Sequence, residues 1–158
     1  VREAIFSIVG GDLSGLWVLD LFAGSGAMGL EALSRGADFV VLVEYHPSAL
    51  RLIARNLASC GDPETVKICK QDLRRGLQGL ARRGSRFDLV FLDPPYGQGF
   101  TQRCLEQLGS GSLLKTGATV VSEHGAYEDL ASTYGCLQLL STRNYGSTAV
   151  SSYRWEEE

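Results

Sequence analysis

Asp93-Pro94-Pro95-Tyr96 is the segment of this sequence with the most sharply defined chemistry. Two consecutive prolines fix φ and remove two N–H donors, so the turn they form is stiff. The residue before a proline is held extended. Asp93 and the freed backbone carbonyl of Pro94 can then point together at one amino group. Tyr96 can offer an aromatic face to a base taken out of its stack. Methylating an exocyclic amine needs this setting. The amine lone pair is delocalised into the ring, and acceptors on its hydrogens restore nucleophilicity. The plain alternative is an ordinary Pro-Pro turn carrying a solvent-facing acid. Its place after a buried apolar run, downstream of a glycine turn, argues against that.

The glycine turn is Gly24-Ser25-Gly26-Ala27-Met28-Gly29, a G-x-G-x-x-G between an apolar run and a helical pattern. Glu44 follows at about the 20-residue offset of an acid that bonds a ribose hydroxyl. Alone, this suits a nicotinamide dinucleotide as well as any other adenosine cofactor. Asp20 and Asp72 change the choice. A dinucleotide sets its pyrophosphate on the N–H groups of a helix N-terminus, and extra carboxylates nearby would repel it. A cofactor carrying a sulfonium and an ammonium group would be attracted instead. S-adenosylmethionine is such a cofactor. Its methyl is already activated, so the protein has mainly to bind and orient it.

These residues need a frame. Leu16–Leu21, Phe39–Val43 (ending at Glu44), Val66–Cys69 and Phe87–Leu92 are short apolar runs of the kind that buried parallel strands show. Helical spacing separates them, in Val1–Val9 before Gly10-Gly11, Ala27–Arg35 before Gly36, Pro47 to about Ser59, and Leu73 to about Ala81. A helix near Thr101–Leu108, a strand at Ala118–Ser122 and two alternating strands about Asn144-Tyr145-Gly146 complete the pattern. Strands alternating with helices predict an α/β fold. It is expected to be a doubly wound, mostly parallel, seven-stranded Rossmann-like sheet with an antiparallel last strand. Ligands of such sheets bind at the carboxyl ends of the strands, near the topological switch. That end carries Asp20–Gly26, Glu44, Asp72 and Asp93–Tyr96.

The bulk properties agree. The chain has 158 residues, is 44% apolar and 21% charged, and has a formal net charge of −3. This fits one folded domain, taken as residues 1–158, and excludes a disordered chain. No apolar run reaches the roughly 20 residues of a membrane span. Cys60, Cys69, Cys104 and Cys136 form no C-x-x-C pair and are read as free thiols. His46 and His124 are read as loop histidines, and no metal is assigned. Between Arg51 and Arg86 there are nine basic residues against three acidic ones, either a solvated face or a footprint for a polyanion. Arg74, Arg75, Arg82, Arg83 and Arg86 would surround one helix there.

Taken together, Val1–Phe6, Val18–Ala37, Phe87–Tyr96 and the tail Tyr145-Gly146-Ser147-Thr148 closely resemble the RsmD family, bacterial 16S ribosomal RNA guanine-N2 methyltransferases. The resemblance implies an S-adenosylmethionine-dependent enzyme of the class I methyltransferase fold. By it, Asp20 and Phe22-Ala23-Gly24-Ser25-Gly26 hold the methionine part of the cofactor, and Glu44 takes the ribose hydroxyls. Asp72 accepts from the adenine amino group with Leu73 beside it, while Asp93, Pro94, Pro95 and Tyr96 hold the guanine and carry the chemistry. It also implies a cytoplasmic bacterial protein, expected to be monomeric, acting on 16S ribosomal RNA in an assembling small subunit without a metal or a membrane. Family members carry a basic stretch before an Arg-x-Arg-Glu motif, and this chain opens inside that motif, so residues upstream of Val1 are expected to be missing. Three other readings compete. They are an adenine-N6 methyltransferase on DNA or RNA, an NAD-dependent oxidoreductase using the glycine turn, and an RNA-binding module without catalysis.

Overall fold

Consecutive residues of the central strands feed two separate cores. Leu19, Leu21, Val41, Val43, Val90, Leu92 and Val120 pack on one side of the sheet. Val18, Val40, Leu42, Leu89, Phe91 and Val121 pack on the other. Alternate side chains of a strand point to opposite faces, so a strand covered on both faces must be apolar throughout. The computed structural model describes residues 1–60, 64–81 and 84–157, apart from the side chains of Cys60 and Ala81.

The strands are β1 Trp17–Leu21, β2 Phe39–Glu44, β3 Val66–Lys70, β4 Phe87–Leu92, β5 Leu114–Gly125, β6 Thr133–Tyr134, β7 Leu137–Tyr145 and β8 Thr148–Trp155. The helices are α1 Arg2–Val9, α2 Ala27–Ser34, α3 Pro47–Cys60, α4 Gln78–Ala81 and α5 Phe100–Ser110. One sheet contains every strand, in the order β3-β2-β1-β4-β5-β8-β7-β6. The first five in that order run parallel, and β8, β7 and β6 are antiparallel additions. Helices α1, α2 and α3 cover one face through Ile5, Phe6, Ala32 and Ile53. Leu77, Leu80, Cys104, Leu105 and Leu108 cover the other.

The expected α/β, doubly wound frame is present, with three corrections. The sheet has eight strands rather than seven, because the two-residue β6 pairs with β7 and is too short to leave an alternating pattern. The helix expected over Leu73–Ala81 is a 3-10 turn at Leu73–Arg75 and then α4, interrupted where Gly76 takes a φ of 102°. Of the cations expected around one helix, Arg74 and Arg75 lie on the 3-10 turn and Arg86 lies in no helix, while Arg82 and Arg83 lie outside the described residues. Strand β5 extends beyond Ala118–Ser122 at both ends. His124 is consequently a buried strand residue, its ring nitrogens 2.9 Å from the Gly125 carbonyl and 2.7 Å from Ser151 Oγ, not a loop histidine.

Chain leaves β1 in one direction to reach β2 and returns to its other side for β4. A crevice therefore opens above the carboxyl ends of β1 and β4. The edge β6 is locked to α5 by close backbone contact. The Gly109 carbonyl accepts from Cys136 N–H (3.0 Å) and Trp155 Nε1 (3.1 Å), and a Cβ on Gly109 would overlap the Tyr134 carbonyl. An alanine there would gain about 1 kcal/mol of helix propensity, but a main-chain carbonyl of a strand held between β7 and α5 cannot yield as a side chain can. Gly109→Ala should therefore lower stability by about 1–3 kcal/mol, as overpacking does. Urea unfolding checks this, and a raised midpoint would contradict it.

Candidate active site

The crevice is a pocket of about 400 Å³, within the range of small-molecule sites. Its walls come from the ends of β1, β2, β4 and β5 and from the segment after β3.

The turn after β1 begins with strain. Phe22 has a φ of 61°, the one non-glycine residue with positive φ among those described. That left-handed conformation is costly without a compensating role. Phe22 lines the pocket, with its ring 6.4 Å from that of Phe100. Gly24 and Gly26 continue the turn with φ of 59° and 81°, and Gly26 caps α2. Gly29 serves packing: a Cβ there would overlap Leu42 and sit 3.0 Å from Val40.

Glu44 ties this turn to the next strand. Its Oε1 accepts from Gly24 N–H at 2.9 Å, and its Oε2 accepts from Tyr45 N–H at 2.7 Å and His46 N–H at 3.1 Å. The carboxylate is thus fixed in orientation, and one face of it lines the pocket.

Asp20 sits elsewhere than expected. It is buried beneath the glycine turn, accepts from Gly29 N–H at 3.1 Å and does not line the pocket. Burial pushes its pKa up to about 7, opposed by the Gly29 bond and assisted by the Asp93 and Glu44 charges. Asp20 therefore braces the first turn of α2 from below rather than facing the space above.

Asp72 and Leu73 reach the pocket from the segment after β3. Both Asp72 oxygens are engaged by Arg74, with Nε at 2.9 Å, Nη2 at 2.8 Å and the backbone N–H at 3.1 Å. The guanidinium holds Asp72 at about 2, well below the usual carboxylate range. Arg74 also lies 5.9 Å from the ring centre of Tyr45.

The fourth strand delivers the stiff turn as expected from Asp93-Pro94-Pro95-Tyr96, and all four residues line the pocket. Packed protein and the neighbouring Glu123 carboxylate raise the pKa of Asp93 well above the ordinary range. Tyr96 is 38% exposed and donates from its hydroxyl to Glu123 Oε2 at 3.3 Å.

Of the residues singled out by sequence, Phe22, Glu44, Asp72, Leu73, Asp93, Pro94, Pro95 and Tyr96 share the pocket wall; Asp20, Ala23, Gly24, Ser25 and Gly26 do not. Sequence reasoning missed Tyr45, His46, Gln71, Arg74 and Glu123. Glu123 was discoverable, because it follows the apolar run Val120–Ser122 as Glu44 follows Phe39–Val43. Among the described residues, four carboxylates therefore face the space, and the one guanidinium in its walls is neutralised by Asp72. Among the described residues, no three His, Cys, Asp or Glu side chains are grouped to hold a metal, and no helix is long and apolar enough to cross a membrane.

This sheet order, with a glycine turn after β1 and an acid at the end of β2, is the fold of S-adenosylmethionine-dependent methyltransferases. An RNA methyltransferase from Salinibacter ruber, solved with S-adenosyl-L-homocysteine, shares it at a TM-score of 0.68 and 17% identity, over 99% of this chain and 91% of that one. Residues 1–154 match the family described as Conserved hypothetical protein 95, and the chain belongs to this family, the RsmD family. A conserved hypothetical protein from Streptococcus pyogenes superposes with a TM-score of 0.89 at 36% identity, covering 99% of this chain and 96% of that one. Ribosomal RNA small subunit methyltransferase D of Escherichia coli (strain K12) is 29% identical over 160 residues, spanning 100% of this chain and 78% of its own length.

The buried acid gives a test by pH. In the folded protein Asp20 ionises near 7, against an ordinary value of about 3.9. Its contribution to stability is then fully present below about 4 and is lost as pH rises through 7. Asp20→Asn keeps an acceptor for Gly29 N–H and removes the ionisation. Urea unfolding should show the wild type losing stability relative to the variant between pH 4 and pH 7. A difference that does not change with pH would contradict this account.

Proposed function

We propose that this chain transfers the methyl group of S-adenosylmethionine to the exocyclic N2 amine of a guanine in 16S ribosomal RNA, in the cytoplasm and within an assembling small subunit. The observation that carries the reading is one cavity shared by two acceptor sets. Glu44 and Asp72 stand on one side, and the Asp93–Tyr96 turn stands on the other. The name carried by the Escherichia coli relative supports a ribosomal RNA substrate.

The residues fit the cofactor. Glu44, already fixed by three N–H groups, presents a carboxylate to two ribose hydroxyls. Asp72 accepts from the adenine amino group once Arg74 releases one oxygen, and Leu73 and Tyr45 border the ring. Phe22 and the turn behind it close the methionine end. Carboxylate walls attract sulfonium and ammonium groups and repel a pyrophosphate, which disfavours a nicotinamide dinucleotide. When bound, S-adenosylmethionine supplies a methyl already activated on sulfur.

The Asp93–Tyr96 turn handles the acceptor. Tyr96 stacks on a base drawn out of the RNA. Asp93 and the Pro94 carbonyl accept from the amine hydrogens and turn its lone pair toward the cofactor side. The nitrogen forms its bond to carbon as the carbon–sulfur bond breaks, and the displaced thioether is neutral. Asp93, with its raised pKa, is suited to take the proton that the methylated amine releases. Catalysis is then positioning and charge placement.

Labelled methyl transfer to small-subunit RNA, followed by nucleoside analysis, tests the reading. N2-methylguanosine is expected, and N6-methyladenosine would replace the guanine assignment with an adenine one. Asp93→Ala should reduce transfer by about 100-fold or more while leaving S-adenosylhomocysteine affinity within a few-fold. Transfer at the wild-type rate would remove Asp93 from the chemistry.

A further inference from the structure

We propose that Glu123 is the residue that selects guanine over adenine, by accepting a hydrogen bond from N1–H of the target base while Asp93 and the Pro94 carbonyl hold its N2 amine. This rests on the guanine reading above and gives a role to a residue which that reading does not use.

Leu92 and Ser122 are the last register partners of β4 and β5, so Asp93, just past the end of β4, stands level with Glu123, which is still within β5 and paired there with Val150 of β8. Both line the cavity. Their carboxyl groups lie within hydrogen-bonding reach of each other, which is part of what raises Asp93. Tyr96 donates to Glu123 Oε2 at 3.3 Å, and the same hydroxyl is 3.5 Å from Thr148 Oγ1. Glu123 is therefore anchored by one neutral donor beside the ring that is to stack on the base. Among the described residues, neither Asp93 nor Glu123 has a cationic partner in an ion pair, and Arg74, on the other side of the cavity, is paired with Asp72.

Two facing carboxylates with one neutral donor are electrostatically incomplete. What completes them is a ligand edge rich in donors. The Watson–Crick edge of guanine offers N1–H and two N2–H in a row, three donors for Glu123, Asp93 and the Pro94 carbonyl. Adenine offers two amine hydrogens beside a bare N1 lone pair, which would face the Glu123 carboxylate. The amine-binding turn alone does not make this distinction, because it sees an exocyclic amine in both bases. An acceptor left facing a lone pair once a base fills the pocket is the kind of mismatch that produces large discrimination.

The test uses 2-aminopurine, which keeps the N2 amine and has a lone pair at N1. The guanine that wild-type protein methylates in a small-subunit particle lacking the modification is mapped, then replaced by 2-aminopurine through ligation of synthetic RNA. Wild-type transfer to 2-aminopurine should fall by at least about 30-fold relative to guanine. In Glu123→Gln the side-chain amide can donate to N1, so the ratio of guanine to 2-aminopurine rates should shrink by about tenfold or more. S-adenosylhomocysteine affinity should stay within a few-fold, showing that the variant is folded. An unchanged ratio in a folded Glu123→Gln would overturn the assignment. Equal wild-type rates on the two bases would overturn it without any variant. Wild-type protein that modifies no guanine at all would remove the parent reading, and this one with it.

Discussion

The bonds that Glu44 accepts from Gly24, Tyr45 and His46 hold together the two chain segments on which the site depends. Backbone N–H groups at a glycine turn and after a strand end have no ladder partners, and leaving them unpaired is costly. One carboxylate at the end of β2 satisfies three of them. It joins the turn after β1 to the loop before α3, on the β2 side of the switch between β1 and β4. Phe22 is kept in its left-handed conformation inside this tie, and Asp20 braces α2 from below. The pocket follows from these constraints before any ligand enters.

The electrostatics follow from the same geometry. Parallel strands deliver their terminal residues to one edge, and four of the side chains that reach the pocket from strand ends or the segments after them are carboxylates. Glu44 is oriented by backbone donors and Asp72 by Arg74, while a fifth carboxyl group, Asp20, is kept out of the cavity by burial under the turn. Asp93 and Glu123 are left facing each other with the Tyr96 hydroxyl. The side of the pocket that carries Glu44 and Asp72 is thus held by internal bonds, while the Asp93–Glu123 side retains unmet hydrogen-bonding capacity.

Much of this was legible in sequence because it rests on local rules. Apolar runs at Phe39–Val43 and Phe87–Leu92 read as buried strands because both faces are covered, and β4 spans the expected residues. The Pro-Pro turn and the glycine turn are set by φ restrictions that act within a few residues. What escaped depends on distant partners. Strand β6 exists because α5 presents Gly109 to it, and His124 belongs to β5 because β8 pairs that far along. Asp20 reads as a strand-end acid, yet its depth beneath Gly29 follows from how closely α2 packs on Val40 and Leu42. Arg74 reads as one more surface cation, and only the 3-10 turn at Leu73–Arg75 brings it onto Asp72.

The central claim is that this carboxylate-walled pocket receives a cationic adenosine cofactor. Calorimetric titration of the protein with S-adenosylmethionine and, separately, with NAD tests it most directly. The account predicts saturable binding of S-adenosylmethionine and none of NAD at the same concentrations. Binding of NAD without binding of S-adenosylmethionine would contradict it.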